Sequence, residues 1–130
     1  MVVRIALAAV ALTVAAGAVA MPVSFRVVSA HVVHTGVFSA EPANGQTPAQ
    51  CARFHLSDRA ALRYFVKARE VDEHRWREAL DWTQCSAAGT LRTGDGKSYG
   101  WTIDQSGRGL ITVTANVSVY LDGPEFSGAR

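Results

Sequence analysis

The side chains of this 130-residue chain that are best suited to proton transfer are histidines and carboxylates of its central region. They are His55, Glu70, Asp72, Glu73 and His74. A histidine that meets a carboxylate in a cleft can act as a general acid or base. At helical spacing, however, Glu70 with His74 fits an exposed pair, and so does Glu73 with Arg77. We therefore predict no catalytic residue in this region.

Two glycine patterns imitate catalytic or phosphate-binding loops. Residues 96–100 read Gly-Lys-Ser-Tyr-Gly, which matches the Gly-x-Ser-x-Gly of serine hydrolases. That motif requires a strand-to-helix turn and a histidine later in the chain, whereas all four histidines precede Ser98. Gly107-Arg108-Gly109 is too short for a phosphate-binding loop. Both patterns predict turns.

A metal site is not indicated either. His31 and His34 fall in a predicted strand, where a spacing of three places two side chains on opposite faces. Zinc needs three or four converging ligands, and the two cysteines, Cys51 and Cys85, lack the Cys-x-x-Cys spacing of metal sites. We expect no metal and no cofactor.

Two charged segments are candidates for binding a partner. Arg59, Arg63 and Lys67 recur every four residues and form one row on a predicted helix, called here the basic ridge. A solvated helix face is the common meaning of such a row. The functional alternative is a docking edge for an acidic protein or an anionic envelope surface. Asp95 and Lys97, in a predicted hairpin turn, form the second candidate.

Aromatic residues suggest a different ligand. Tyr99 and Trp101 alternate on one face of a predicted strand, and Trp76 and Trp82 lie upstream. Together they could form a platform for a glycan. Large aromatic side chains also dominate the cores of small domains, so core packing is the competing interpretation.

Residues 1–20 have the composition of a secretory signal peptide. Arg4 precedes an uncharged run rich in Ala, Val and Leu, and small residues stand at Ala18 and Ala20. We expect cleavage after Ala20, which leaves residues 21–130 as a single periplasmic or secreted domain. An uncleaved membrane anchor is the alternative, because the apolar run is at the short end for a bilayer span.

Export also predicts how the cysteines are used. Oxidising compartments form and keep disulfides, so we expect a Cys51–Cys85 bond. In the chain-entropy model, closing a loop of this length stabilises the fold by roughly 3–4 kcal/mol.

The mature chain would be nearly neutral, with twelve Lys and Arg against eleven Asp and Glu. This balance argues against a nucleic-acid partner, which usually requires a concentrated basic surface.

The pattern of elements predicts an α+β domain with one main helix packed on an antiparallel sheet. β-branched residues predict one or two strands in 23–38, and Ser57 is a helix N-cap candidate for a helix ending near Ala68. Residues 71–82 fit either a short helix or a strand. Asp95-Gly96 predicts a hairpin, and strands continue to residue 121. We expect a loop or linker at 40–50 and a loose tail at 122–130.

Several short patterns between Cys51 and about Leu121 resemble a known group of proteins. They are Phe54-x-Leu56-Ser57 before Tyr64-Phe65, Asp81-Trp82-x-x-Cys85, Gly89, Trp101-x-Ile103 and Gly107-x-Gly109. This set resembles small exported bacterial proteins whose function is not established. Such relatives often end in another cysteine pair, where this chain reads Asp122-Gly-Pro-Glu-Phe. The resemblance implies a bacterial envelope protein and supplies no catalytic residue.

These observations predict an exported, non-enzymatic binding protein. We expect a protein partner, as for inhibitors of envelope-degrading enzymes or immunity proteins against delivered toxins. The alternative is a small-ligand or cell-wall glycan binder that uses Tyr99 and Trp101. A membrane would be engaged only through an uncleaved signal segment.

Overall fold

The computed structural model describes residues 26–127, so the predicted signal peptide and residues 128–130 lie outside the described part of the chain. The strands are β1 (Val27–Phe38), β2 (Arg69–Val71), β3 (Cys85–Thr93), β4 (Ser98–Asp104), β5 (Arg108–Thr114) and β6 (Val117–Asp122). The helices are α1 (Pro48–Cys51), α2 (Asp58–Lys67) and α3 (Glu73–Glu78). All six strands form one antiparallel sheet in the order β1-β3-β4-β5-β6-β2. The α+β class is confirmed, although the sheet makes up more of the domain than the helices do.

The main helix begins where its sequence predicts. The Ser57 side chain accepts a hydrogen bond from the backbone N–H of Ala60, which satisfies one of the free donors at the start of α2. Ala61 and Tyr64 are buried on the inner side of the helix. The helix ends at Lys67, one residue before Ala68 turns to an extended conformation.

Alternation along the strands gives the sheet a buried face and a second, more polar face. The side chains of the buried face are Ala87, Leu91, Trp101, Ile103, Ile111, Val119 and Leu121. Phe65 of α2 packs its ring against Trp101, with ring centroids 5.6 Å apart. On the second face, Trp76 of α3 contacts Tyr120 of β6 at 5.3 Å. Thus α2 covers one face of the sheet, and the short α3 covers one end of the other.

The predicted disulfide is confirmed. Cys51 and Cys85 are bonded, and both side chains are fully buried. The bond joins the end of α1 to the start of β3, so it fastens the segment before the main helix to the sheet.

The predicted loop or linker at residues 40–50 is a fixed loop that ends in α1, and not a linker. Thr47 and Gln50 form a reciprocal capping box at the start of this helix. The side chain of Gln84 is buried, accepts hydrogen bonds from the backbone N–H groups of Asn44 and Gln46 at 2.8 and 2.9 Å, and donates one to the Ser39 carbonyl at 2.9 Å. One amide side chain therefore organises the loop.

The described part of the predicted tail is also ordered against the core. The ring of Phe126 lies 5.4 Å from that of Phe54 and 6.0 Å from that of Tyr64. The Phe126 N–H donates to the Gln105 carbonyl, and the Gln105 side chain donates to the Ser127 carbonyl, both at 2.9 Å. Up to Ser127, the expectation of a loose tail is therefore wrong, because one aromatic side chain completes the packing around Tyr64.

Residues 71–82, for which helix and strand were both open, contain the end of β2 and then α3. Asp72 caps α3 by accepting a hydrogen bond from the backbone N–H of Arg75 at 2.7 Å. Trp76 therefore lies in a helix, and of residues 71–82 only Val71 belongs to a strand. Within residues 26–127, no helix has the length and apolar character needed to cross a membrane.

Candidate functional site

The basic ridge lies on the outer side of α2. Arg59, Arg63 and Lys67 are all exposed, and within residues 26–127 none of them forms an ion pair. The single carboxylate of α2, that of Asp58, instead accepts a 2.7 Å hydrogen bond from the backbone N–H of Val32 and lies 3.3 Å from His31. The ridge therefore presents to solvent three cations that form no ion pair with the described residues.

This arrangement does not help α2 to fold. A cation in the first helical turn, where Arg59 lies, is opposed by the helix dipole. Cations four residues apart, as in Arg59–Arg63 and Arg63–Lys67, repel each other. Only Lys67, in the last turn, is favourably placed. The ridge therefore costs some helix stability, which suggests that it serves a purpose other than folding.

An apolar side chain lies beside the cations. The side chain of Val66 is 74% exposed, which is more than that of Val28, Val33, Val37 or Val117. It is adjacent to Lys67 in sequence and lies three residues from Arg63, which is one turn of the helix. An exposed aliphatic side chain next to Arg63 and Lys67 forms a surface that can bury some apolar area as well as pair charges.

The hairpin candidate is different, because its charges are used within the turn. The Asp95 carboxylate accepts hydrogen bonds from the Thr93 hydroxyl and, at 3.3 Å, from the Lys97 N–H. The hydrogen bond from Thr93 is the main reason that the pKa of Asp95 lies below its usual value. The Lys97 ammonium is 4.0 Å from Asp95. Asp95 and Lys97 therefore stabilise a hairpin whose prediction is confirmed.

The predicted glycan platform of Tyr99 and Trp101 does not exist as a surface. Trp101 is only 3% exposed, and its indole N–H donates a 2.8 Å hydrogen bond to the Thr90 carbonyl. Tyr99 is partly buried and packs against the core. The core interpretation of these aromatics is correct for Trp101, because the ring lies between the sheet and Phe65 and offers no face to a sugar.

The residues considered for acid-base catalysis are separated among several elements. His55 lies in the loop before α2, Glu70 in β2 and His74 in α3, and all three are exposed. Asp72 caps α3, and Glu73 accepts a 2.9 Å hydrogen bond from Arg77 as its spacing predicts. The Glu70–His74 pair is not formed, since β2 ends between the two residues.

The described residues contain no cluster of side chains suited to binding a metal ion. Within residues 26–127, no three side chains of His, Cys, Asp or Glu lie close enough to hold an ion together. His31 interacts with Asp58, and His34 is exposed. The β1–β3 register shifts between Val32 and His34, which interrupts the simple alternation expected for the two histidines.

The structure also assembles a cluster that the sequence pattern did not reveal. The guanidinium carbon of Arg108 lies 4.0 Å from the ring centroid of Trp76, and the Trp76 indole N–H donates a 2.8 Å hydrogen bond to the Gly109 carbonyl. Arg108 Nε is 3.4 Å from Asp104 Oδ2, an ion pair by distance, but this N–H has no aligned acceptor among the described residues. The cluster is therefore a buried ion pair against an indole.

Asp104, the carboxylate of this cluster, accepts several hydrogen bonds. It accepts hydrogen bonds from the Ser106 hydroxyl and from the backbone N–H groups of Thr83, Ser106 and Arg108. Burial nevertheless raises the pKa of Asp104 above its usual value, because desolvation outweighs these hydrogen bonds and the charge of Arg108. The main role of Asp104 is to shape the turn between β4 and β5.

Beside this cluster is a cleft of about 220 Å³, called here the Trp82 cleft. Trp76, Trp82, Ser86, Thr102, Asp104 and Arg108 are among its lining residues, together with residues of the loop around Pro42. Ser86 and Thr102 lie on the sheet face opposite α2, since their strand neighbours Ala87 and Ile103 are buried on the α2 side. The sequence gives one local hint, the spacing of four between Asp104 and Arg108. It gives no hint that Trp76 and Trp82 come to this face.

No protein-family model, curated protein or solved structure matches this chain. Several residues of the short patterns between Cys51 and Leu121 serve packing: Phe54, Tyr64 and Trp101 are buried. Gly109 leaves the space that the Tyr64 ring occupies. The packing of the core explains these residues, so they carry no information about a ligand.

Proposed function

We propose that this protein is an exported, non-enzymatic binding protein that engages an acidic surface of a partner protein through the basic ridge. The observation that carries this proposal is the contrast in charge pairing. Asp95 and Lys97 pair with each other, whereas Arg59, Arg63 and Lys67 have no counterion among residues 26–127. Unpaired cations can gain a counterion on binding without first breaking an ion pair.

A protein surface fits the ridge better than a membrane does. Helices that lie in a bilayer surface bury a broad apolar face, usually with Trp, Phe or Leu. The inner side of α2 is already used against the sheet, and Val66 is the apolar residue that accompanies the cations outside. A partner with several carboxylates around a small apolar patch would match this surface.

The proposal also covers the compartment of the protein and the kind of partner that it binds. The buried Cys51–Cys85 bond is consistent with an oxidising compartment. A small stapled domain that binds an acidic protein suits an inhibitor of an envelope enzyme or an immunity protein. A cleft lined by carboxylates focuses a negative potential, so such a cleft in an enzyme would attract the ridge.

Affinity capture tests the proposal if three forms of the protein are compared. The first is the wild type, and the second changes Arg59, Arg63 and Lys67 together to Glu. The third is a matched control that changes the exposed cations Arg53, Arg75 and Arg92 to Glu, which alters the net charge equally. All three are folded with the disulfide formed and exposed to envelope and secreted extracts.

We expect the wild type and the control to retain the same protein and the ridge variant to lose it. The captured protein should carry an acidic surface, and its release should be promoted by salt because exposed charge pairs are screened. Retention by a folded ridge variant would show that the ridge does not form the interface. Loss by both variants would show an unspecific charge effect, which would also contradict the proposal.

A further inference from the structure

The Trp82 cleft lies on the opposite side of the sheet from α2, so it is independent of the basic ridge. Its floor comes from Ser86 of β3 and from Thr102 and Asp104 of β4, and loop residues Pro42 and Trp82 form part of its wall. Its volume of about 220 Å³ is below the roughly 300–1,000 Å³ of pockets that hold drug-sized ligands. The cleft can therefore take one small ring or one unit of a longer molecule.

The charges in the cleft favour a neutral ligand. Arg108 and Asp104 are only 3.4 Å apart, so each neutralises the other. An anion would be attracted by Arg108 but repelled by Asp104, and a cation would meet the reverse. Because the pair carries no net charge, an ion of either sign gains less attraction than a lone charge would give it.

The polar groups of the cleft favour a ligand with several hydroxyls. Arg108 Nε is enclosed by the protein, so the donors that could face a ligand are those of the two Nη atoms, of which Nη1 has a 3.5 Å contact with the Trp76 carbonyl. Four of the five N–H donors of a guanidinium are on its Nη atoms, so Arg108 can still donate to a ligand. The hydroxyls of Ser86 and Thr102 can each donate or accept. An apolar ligand would leave these groups without partners, which is costly in a cleft.

Trp82 supplies the apolar component. The Trp76 ring lines the cleft too, but Arg108 lies over it at 4.0 Å and Tyr120 contacts it at 5.3 Å. Trp82 is half-buried, and among residues 26–127 it makes no ring–ring or cation–π contact. An indole of this kind can pack against the C–H bonds of a saturated ring while the ring's hydroxyls face polar side chains.

We propose that the Trp82 cleft binds one pyranose unit of a neutral saccharide, with the ring against Trp82 and its hydroxyls bonded to Thr102 and Arg108. The site is distinct from the predicted platform, because Trp101 lies in the core. It also differs from the proposed protein interface, since it lies on the other face of the sheet. A protein with both sites could hold a partner near glycan-rich material.

Nuclear magnetic resonance titration of the disulfide-bonded protein tests this site. The probes are glucose, galactose, mannose and N-acetylglucosamine, with sodium acetate and glucuronate as anionic comparisons. We expect saturable shifts of the Trp82 indole N–H and the Thr102 amide with at least one neutral sugar. The Trp101 indole N–H should stay unchanged, because it is bonded inside the core.

Two variants and one control make the result specific. Trp82→Ala should weaken sugar binding at least about tenfold, and Thr102→Val, which only replaces a hydroxyl, should weaken it while the spectrum stays that of a folded protein. The triple ridge variant should bind sugar as the wild type does. Its failure in capture with intact sugar binding would separate the two proposals.

Three results would overturn the saccharide site. The first is the absence of saturable shifts with all four neutral sugars. The second is sugar binding that survives both Trp82→Ala and Thr102→Val. The third is a response to acetate or glucuronate alone, which would make Arg108 an anion site despite its neighbour Asp104.

Discussion

The hydroxyl of Tyr64 donates a 2.7 Å hydrogen bond to the carbonyl oxygen of Gly107. The bond joins the centre of α2 to the turn between β4 and β5. The Tyr64 ring occupies the space where a side chain at Gly109 or Gly123 would lie. Burial raises the pKa of Tyr64 far above its usual value, so the hydroxyl remains a donor at all ordinary pH values. This contact explains Gly109 as a packing requirement. Gly107 is required for another reason, since its φ is +97° and the Gly123 and Pro124 carbonyls lie where a Cβ would be.

Replacing Gly109 with alanine should therefore destabilise the protein. The new Cβ would overlap the Tyr64 side chain, and overpacking of this kind costs about 1–3 kcal/mol. The matched control is Gly100→Ala in β4, where the nearest atom to a new Cβ would be 3.9 Å away. Urea unfolding should show a clear loss for Gly109→Ala and a change within about 0.5 kcal/mol for Gly100→Ala. Equal stability of the two variants would refute this account of Tyr64.

Removing the disulfide should lower the stability of the fold more than Gly109→Ala does. The bond closes a loop with a sequence separation of 34 residues. The chain-entropy model then predicts that Cys51→Ala with Cys85→Ala lowers the free energy of unfolding by roughly 3–4 kcal/mol. Denaturant unfolding of the double variant and the oxidised wild type measures the difference. A loss below about 1 kcal/mol would mean that the unfolded chain is already constrained in this region.

Loss of the Gln84 side chain should release the loop at residues 40–47 without unfolding the sheet. Gln84→Ala removes the acceptor of the Asn44 and Gln46 N–H groups, so these amides should exchange with solvent much faster. The matched variant Gln105→Ala should instead loosen the segment near Ser127, because its side chain donates to that carbonyl. Amide hydrogen exchange distinguishes the two. Faster exchange throughout the strands in either variant would contradict a local role.

Asp58 should make stability depend on acid pH. The Val32 N–H, followed by His31, lowers the pKa of Asp58 in the folded state. Between the folded and unfolded pKa values the unfolded chain binds more protons, so stability rises with pH through that window. This stabilisation is present above the ordinary Asp pKa and is lost as pH falls through the lower folded value.

Thermal unfolding of the wild type and Asp58→Asn at a series of pH values checks this prediction. We expect the wild type to have the higher Tm at neutral pH, and the difference should shrink as the pH falls below about 4. Asp81→Asn is the control, since Asp81 is an exposed carboxylate outside the helices and strands. A difference that stays constant down to about pH 2 would show that the Asp58 charge is not what links α2 to β1.

Much of the architecture follows from local patterns in the sequence. Ser57 marks the start of α2, Asp95-Gly96 marks a hairpin, and the alternation through Trp101 and Ile103 marks the buried side of β4. These signals arise from neighbours in sequence, so they can be recognised without a structure. The cysteine pairing was also predictable, since the chain offers a single pair.

The features that escaped prediction depend on contacts between distant residues. Phe126 looks like part of a polar tail until Phe54 and Tyr64 are seen beside it. The sequence around Trp101 does not show whether this side chain is exposed or buried, because its burial depends on Phe65 of α2. The cluster around Arg108 requires Trp76, which is 32 residues away in sequence. No local sequence pattern predicts these contacts.

The two lysines of this chain, Lys67 and Lys97, lie on the two rival binding surfaces. Lysine acetylation of the free protein and of its complex with the captured partner, quantified by mass spectrometry, therefore tests the basic ridge directly. We predict that Lys67 becomes protected in the complex while Lys97 reacts at the same rate in both states. Protection of Lys97 with unchanged reactivity of Lys67 would place the partner on the hairpin and contradict the proposed function.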